Sequence, residues 1–372
     1  MGDFEYGKMP LVYEYAAKAL TELNTKKGSL RQIMEQFSPK IGKAVYAVTT
    51  KVLRNLKVIK DIIVDTDLQN KVKCDPALLE VLVAELLYVT SKLPVKYLRI
   101  NLLKCSMEEI IQMLESKGYS QVVLEDCNSF ESFLKSASEI EHKKKTFLKD
   151  FHFPEELLVV GVRNTPYIMA MEDYKNGKFI FFDKASLLAV EMLKVKKGMT
   201  VLDICAAPGM KTAAIASRCD NDLKIVSLDR DWKRCGEMKS LMSTLGVTCV
   251  DIHCADFLGE HKMLEGKIDA ILLDPSCSGS GMVDRLDYSE NNDTGRCFKL
   301  ASFQTKMLCK AMSLKPKRIV YSTCSLSETE NEFVIRSALK EAENGDEYEL
   351  VKGVPTWPMR GEKGAKQCIR SD

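Results

Sequence analysis

The chain is 372 residues long, 45% hydrophobic and 28% charged, with a formal net charge of +2. This is ordinary for a soluble globular protein, and the length predicts about two or three folding units. A near-neutral charge does not advertise nucleic-acid binding, so any such role has to rest on local patches and site chemistry. The first residues lack an apolar signal core, and the richest apolar stretch, Leu78 to Val89, is short and broken by Glu80 and Glu85. Neither a signal peptide nor a membrane span is expected. Thirteen cysteines without paired spacing, and four histidines without zinc-ligand spacing, argue against disulfides and a structural metal.

Residues 1–92 read as a helical domain. Ser29-Leu30-Arg31-Gln32 has the pattern of a capping box, and Asp75-Pro76 sets an N-cap acid before a first-turn proline. Leu78, Leu79, Val81, Leu82, Leu86 and Leu87 then form an apolar face. Between those helix starts, Lys40, Lys43, Lys51, Arg54, Lys57 and Lys60 place six positive charges with no acid from Ser38 to Lys60. The stripe reads either as a solvated helix face or as a surface for an RNA backbone. Residues 93–182 fit a small α+β unit. Its strands are Tyr97–Asn101, Gln121–Leu124, Leu157–Val160 and Phe179–Phe182, and Ser106-Met107-Glu108-Glu109 caps a helix ending near Gly118. His142-Lys143-Lys144-Lys145 reads as an exposed loop or helix end.

Over residues 183–372 strands and helices alternate. Apolar runs at Thr200–Cys205, Lys224–Leu228, Thr248–Ile252, Ala270–Leu273 and Arg318–Tyr321 predict a parallel, doubly wound, Rossmann-like sheet. The first run enters a helix through Cys205-Ala206-Ala207-Pro208-Gly209-Met210-Lys211, whose small residues let a ligand approach the backbone. The second ends at Asp229, an acid placed to accept from ribose hydroxyls. With one glycine instead of G-x-G-x-x-G, the loop disfavours a pyrophosphate and suits a nucleoside such as S-adenosylmethionine.

The fourth run leaves through Asp274-Pro275-Ser276-Cys277 and the fifth through Ser322-Thr323-Cys324, so two thiols and a carboxylate meet at the carboxyl edge of the sheet. That set suits methylation of a pyrimidine at C5. A thiolate adding to C6 turns C5 into an enamine carbon, which takes a methyl from a sulfonium, and a base then removes the C5 proton so that the thiolate leaves. A carboxylic acid near N3 and N4 favours the addition. Lys211 or an electropositive helix start would activate the nucleophile.

At these residues the chain resembles a known family. Asp203-Ile-Cys-Ala-Ala-Pro-Gly-Met-Lys-Thr212, Asp274-Pro-Ser-Cys-Ser-Gly-Ser-Gly281 and Ser322-Thr-Cys-Ser325 are similar to the motifs of the NOP/Sun family of RNA cytosine-5 methyltransferases. Ser276 and Gly279-Ser280-Gly281-Met282 resemble its fifth branch, which acts on large-subunit ribosomal RNA. Arg99-Ile100-Asn101 and Asp183-Lys184-Ala185-Ser186 match further family segments.

The resemblance implies an α/β fold: a Rossmann-like methyltransferase domain, an N-terminal helical domain and a small α+β RNA-recognition unit. It implies S-adenosylmethionine as cofactor and RNA, in large-subunit rRNA or a pre-ribosome, as partner. No membrane and no metal are expected, the chain is expected to be a monomer, and the location implied is the nucleolus. By the same resemblance, Cys324 is the nucleophile, Cys277 releases the product, Asp274 contacts the cytosine, and Lys211 lies beside base and cofactor. Cys205 to Lys211, with Asp229, Arg234, Asp256 and Asp274, match cofactor contacts. Where the family has Gln before Asp-x-Ala-Ser, this chain has Phe182. Its last residues stop where relatives continue into a final hairpin, so a truncated end is expected, with Glu349-Leu350-Val351 as an edge strand. The alternative reading is a catalytically silent RNA-binding assembly factor. A DNA cytosine methyltransferase, which would attack from a Pro-Cys site, is disfavoured by Thr323-Cys324.

Overall fold

The computed structural model describes residues 11–25, 30–54, 56–90, 95–124, 129–140, 143–260, 264–281, 294–355, 357, 359–361 and 364–370. They fall into two compact units, one before residue 91 and one from residue 95 onward.

The first unit is helical: α1 (Leu11–Thr25), α2 (Leu30–Met34), α3 (Pro39–Arg54), α4 (Leu56–Asp65), α5 (Leu68–Lys71) and α6 (Pro76–Thr90). Val45, Val48 and Val52 recur at helical spacing on α3 and are buried in one cluster with Ala16, Ala19 and Leu20 of α1 and Leu79 and Val83 of α6. Each valine so buried contributes about 1.5–3 kcal/mol. Asp75 caps α6, its Oδ1 accepting the Leu78 N–H at 3.0 Å. Ser29, which opens the other expected cap, lies outside the described residues. In the basic stripe Lys43 and Lys60 are exposed, while the side chains of Lys40, Arg54 and Lys57 lie outside the described residues. No described helix is long and apolar enough to cross a membrane.

The second unit holds two sheets. In the smaller, β1 (Val95–Ile100) pairs antiparallel with β4 (Leu157–Gly161) and β5 (Phe179–Phe181), while β3 (Thr146–Lys149) joins β4 antiparallel and β2 (Ser120–Gln121) parallel. Strand β3 is absent from the sequence reading because only Phe147 and Leu148 break its charged surroundings. Helix α7 (Met107–Ser116) carries the expected capping box between Ser106 and Glu109, and α8 (Phe130–Ile140) precedes β3. Of the charged insert, His142 lies outside the described residues. Two short helices, α9 (Thr165–Met169) and α10 (Glu172–Lys175), lead into β5.

The larger sheet is wholly parallel, in the order β10 (Arg318–Tyr321), β9 (Ala270–Leu273), β6 (Thr200–Ile204), β7 (Lys224–Asp229), β8 (Val250–Cys254). Its residues alternate between two apolar layers, as the period-two geometry of strands requires. Val201, Ile225 and Leu272 face α11 (Lys184–Leu193), α12 (Met210–Arg218) and α13 (Trp232–Leu245), whereas Leu202, Val226 and Leu273 face α14 (Thr294–Ser313) and α15 (Glu332–Glu341). The expected α/β fold with a Rossmann-like sheet is therefore present. Strand β8 starts two residues later than the apolar run, because the Thr248 N–H is held by Asn221 Oδ1 in a loop.

Buried polar contacts join the two sheets. Arg99 Nε meets Glu156 Oε1 at 2.7 Å, and Glu156 Oε2 meets Arg218 Nη2 of α12 at 2.9 Å. Asn101 Nδ2 donates to the carbonyls of Gly177 and Leu245, each at 2.8 Å. Removing one partner of such a buried pair costs about 3–5 kcal/mol, because a charge is left without a partner. Lys184 Nζ meets Asp150 Oδ2 at 2.6 Å and lies 5.2 Å from the Phe133 ring centre. Phe182 is buried against the Arg99 guanidinium, 5.8 Å from its ring centre, so this position makes an apolar and cation–π contact.

Past α15, Glu349–Val351 form no strand ladder. The chain is tied instead by its side chains, the Tyr348 hydroxyl donating to Pro316 O at 3.1 Å, and by an isolated antiparallel bridge between Arg360 and Ile369.

Candidate active site

Because every strand of the larger sheet runs the same way, the turns leaving β6, β7, β9 and β10 open at one edge. Strand β6 ends at Ile204, and Cys205 begins the turn at φ 61. Gly209 closes it at φ 98, in the left-handed region that favours glycine. A Cβ on Gly209 would lie 2.8 Å from Met238 Cγ and from Met242 Cε, so the loop also needs glycine to lie against α13.

Asp203 is buried under this turn and accepts from Thr212 Oγ1 at 2.6 Å. Burial lifts its carboxyl from 3.8 to about 7, against the opposing Thr212 hydrogen bond and Lys211 charge. Asp229 ends β7, and its Oδ2 accepts the Ala207 N–H at 3.2 Å while Oδ1 accepts that of Asp231 at 3.0 Å. Arg234 Nη1 stands 3.5 Å from Asp229 Oδ2, and its Nη2 donates to the Ala207 carbonyl. Ala206, Ala207, Gly209, Asp229 and Arg234 thus form one connected cradle, with Pro208 exposed and Met210 half-buried beside it. Asp256 is exposed in the turn after β8, where its Oδ1 accepts the Leu258 N–H at 3.0 Å.

Asp274 leaves β9 with both oxygens engaged. Oδ2 meets Lys211 Nζ at 2.5 Å, and Oδ1 accepts from Ser322 Oγ at 3.1 Å. Ser322 was not singled out from the sequence, although it stands two residues before Cys324. The two thiols come together, Cys277 Sγ and Cys324 Sγ being 3.1 Å apart. Hydrogen bonding from Cys324 pulls Cys277 down to about 7, against the cost of its burial, and backbone N–H groups of Cys324 and Gly279 act in the same direction. Cys324 is correspondingly raised, chiefly by its bond to Cys277. The pair shares a proton, and its first ionisation falls near neutrality. Lys211, expected to activate the nucleophile, is ion-paired with Asp274. Cys205 opens the turn of the cradle, and burial, then Asp229, Asp274 and Asp203, push its thiol up to about 12.

Sequence reasoning also missed the support beneath the thiols. Glu330, wholly buried at the end of a short 3-10 turn, accepts from the Ser278 N–H at 2.9 Å, Gln304 Nε2 at 3.0 Å and Ser325 Oγ at 2.7 Å. The only local signal was the density of serines around both cysteines. Among the described residues no cluster of side chains is arranged to hold a metal ion.

Comparisons with known proteins bear on the family of the chain. Residues 190–358 match the family described as 16S rRNA methyltransferase RsmB/F, and residues 94–182 match the ferredoxin-like domain of NOL1/NOP2/Sun domain family member 5. A Schizosaccharomyces pombe protein named 25S rRNA (cytosine-C(5))-methyltransferase rcm1 is 30% identical over 94% of this chain and 84% of its own length. A Mus musculus 28S rRNA (cytosine-C(5))-methyltransferase is 36% identical over 74% of this chain and 58% of its own, and an Arabidopsis thaliana 25S rRNA (cytosine-C(5))-methyltransferase NSUN5 is 33% identical over 76% and 47%. The chain thus spans about half the length of these last two relatives. Among solved structures, a Pyrococcus horikoshii methyltransferase homologue superposes with a TM-score of 0.54 at 26% identity, covering 79% of this chain and 82% of its own. The P. horikoshii NSun6 structure with SFG superposes at 0.52 and 18% identity, over 77% of this chain and 89% of its own, which speaks to the fold alone. By the near-complete match to the fission-yeast protein and the two adjoining domain matches, the chain belongs to the NOP/Sun family of RNA cytosine-5 methyltransferases, in the branch of its fifth member.

Proposed function

We propose that the chain transfers a methyl group from S-adenosylmethionine to C5 of a cytosine in large-subunit ribosomal RNA, through a covalent adduct between a cysteine and C6. The observation that carries this reading is the pair of thiols 3.1 Å apart beside an aspartate held by Lys211. A cytosine must leave its stack to reach them. Cys324, the exposed member of the pair, adds to C6. Its proton crosses to the Cys277 thiolate and from there to solvent. Asp274, acting as the acid, would pass a proton to N3 as the thiolate adds, accept from the N4 amino group, and recover the N3 proton when the adduct collapses, so that the ring carries no net negative charge. S-adenosylmethionine, when bound, supplies the electrophilic methyl of a sulfonium. Cys277 then takes the C5 proton, the C5–C6 double bond re-forms, and Cys324 departs as thiolate.

The cradle suits that cofactor. Asp229 offers acceptor oxygens at the end of β7, Ala206 and Ala207 keep the floor low, and Cys205 to Met210 with Arg234 and Asp256 would surround a nucleoside. Lys211 would lie between cofactor and base. The archaeal neighbour that carries SFG, an S-adenosylmethionine analogue, has the same fold. The names of the mouse, plant and yeast relatives support an rRNA substrate and, with it, a nucleolar location. We also infer that the helical unit, with its basic stripe, contributes to RNA affinity and that the chain acts as a monomer.

The test is incorporation of labelled methyl groups into large-subunit rRNA by the purified chain, followed by bisulfite sequencing of rRNA from cells with and without it. RNA that is bound but never methylated, free or in pre-ribosomes, would leave the silent assembly factor as the better reading.

A further inference from the structure

The two cysteine loops are joined beneath the thiols by one carboxylate. Ser278 follows Cys277 in the turn after β9, and Ser325 follows Cys324 in the turn after β10. Glu330 takes the Ser278 N–H at 2.9 Å on Oε1 and the Ser325 hydroxyl at 2.7 Å on Oε2. The two serine hydroxyls lie 3.0 Å from each other. Gln304 of α14 completes the tie, its Nε2 donating both to Glu330 Oε1 and to the Ser276 carbonyl, each at 3.0 Å. The Tyr321 hydroxyl donates to the Glu330 carbonyl at 2.6 Å, and Asn331 Nδ2 donates to the Ser325 carbonyl at 2.8 Å.

Glu330 is 0% exposed, and the donors given above are all neutral. Among the described residues no cation forms an ion pair with it. A buried carboxylate of this kind costs several kcal/mol to desolvate, and an apolar contact would hold two loops together at less expense. What a carboxylate offers here, and an apolar contact does not, is an acceptor oxygen for each of the two loops.

We propose that Glu330 is a positioning residue for the thiol pair: its two oxygens clamp the Cys277 and Cys324 loops at reacting distance, and its charge restrains the thiolate on Cys277. The proposal rests on the reading of the pair as the methyl-transfer site, and it deepens that reading by explaining what holds the thiols in register. Cys324, Tyr321 and Glu330 face Cys277, and Asp274, paired with Lys211, acts on Cys324 and Tyr321. Of these, Glu330 acts on Cys277 in the direction opposite to Cys324, raising it where the Cys324 hydrogen bond lowers it.

Clamp and charge can be separated because they predict opposite signs. Glu330→Gln keeps an acceptor for Ser278 and a donor for Ser325 while removing the charge, so the pH midpoint for iodoacetamide alkylation of Cys277 should fall by about one unit. Ser325→Ala keeps the charge and releases the Cys324 loop. Cys324 then donates less well, and the midpoint should rise towards that of an ordinary thiol. A purely structural role would move both variants the same way or neither, and either result overturns the proposal. If Glu330→Gln fails to fold, a midpoint that does not rise in Ser325→Ala overturns it alone. Alkylation requires neither RNA nor methyl donor, so this outcome is independent of whether the wild-type chain methylates rRNA.

Discussion

Asp203→Asn isolates one electrostatic quantity in the core of the second unit. Asp203 is 1% exposed, and burial raises its carboxyl from 3.8 to about 7. A folded-state pKa above the unfolded value means that the native protein binds the proton more tightly. The associated stability is fully present below about pH 4 and is lost as pH rises towards 7. Three units at 1.36 kcal/mol each correspond to about 4 kcal/mol. The amide that replaces the carboxyl preserves an acceptor for Thr212 and cannot ionise. The unfolding free energy of the variant minus that of the wild type should therefore move in the variant's favour by about 4 kcal/mol between pH 4 and 8. Urea titrations followed by tryptophan fluorescence suit the measurement, because Trp232 and Trp357, the only two tryptophans, both lie in the second unit. A difference that stays within about 1 kcal/mol across that pH range would refute the reasoning.

Three further outcomes are expected at the site, and one on the helical unit. Cys324→Ala should abolish both product and covalent RNA adduct, whereas Cys277→Ala should accumulate an adduct that survives denaturing gels; adduct formation by Cys324→Ala would reverse the two roles. The same Cys324→Ala change removes the hydrogen bond that most lowers Cys277, so the alkylation midpoint of Cys277 should rise from about 7, and a midpoint that stays put would sink the account of the shared proton. Gly209→Ala puts a Cβ 2.8 Å from Met238 Cγ at a φ of 98, so it should destabilise the second unit by about 1–3 kcal/mol and weaken binding of S-adenosylmethionine, as differential denaturation and calorimetry would show. Neutralising Lys51, Arg54 and Lys57 together should reduce the double-logarithmic salt slope of RNA binding by up to about one unit per lost phosphate contact, and an unchanged slope would make that stripe a solvated surface.

Much of the site was legible locally. An apolar run ending in Asp274-Pro275-Ser276-Cys277 or Ser322-Thr323-Cys324 says strand, then turn, then thiol, because strand formation and turn chemistry depend on near neighbours. The same logic read the caps at Ser106 and Asp75. It failed for Glu349–Val351, where local strand preference met no partner edge, and for β3, whose short apolar pair belongs to a strand only because β4 lies opposite.

What the sequence alone determined was which residues the chain brings to the carboxyl edge. What tertiary structure decided was which of them touch. Strand β9 lies between β6 and β10, so Asp274 reaches both Lys211 and Ser322, partners 63 and 48 residues away along the chain. That same order sets Cys277 beside Cys324, makes their proton a shared one and places Glu330 beneath both loops. None of these pairings has a sequence period. They arise from non-local strand registry, which the chain settles only when its two apolar layers close over the sheet.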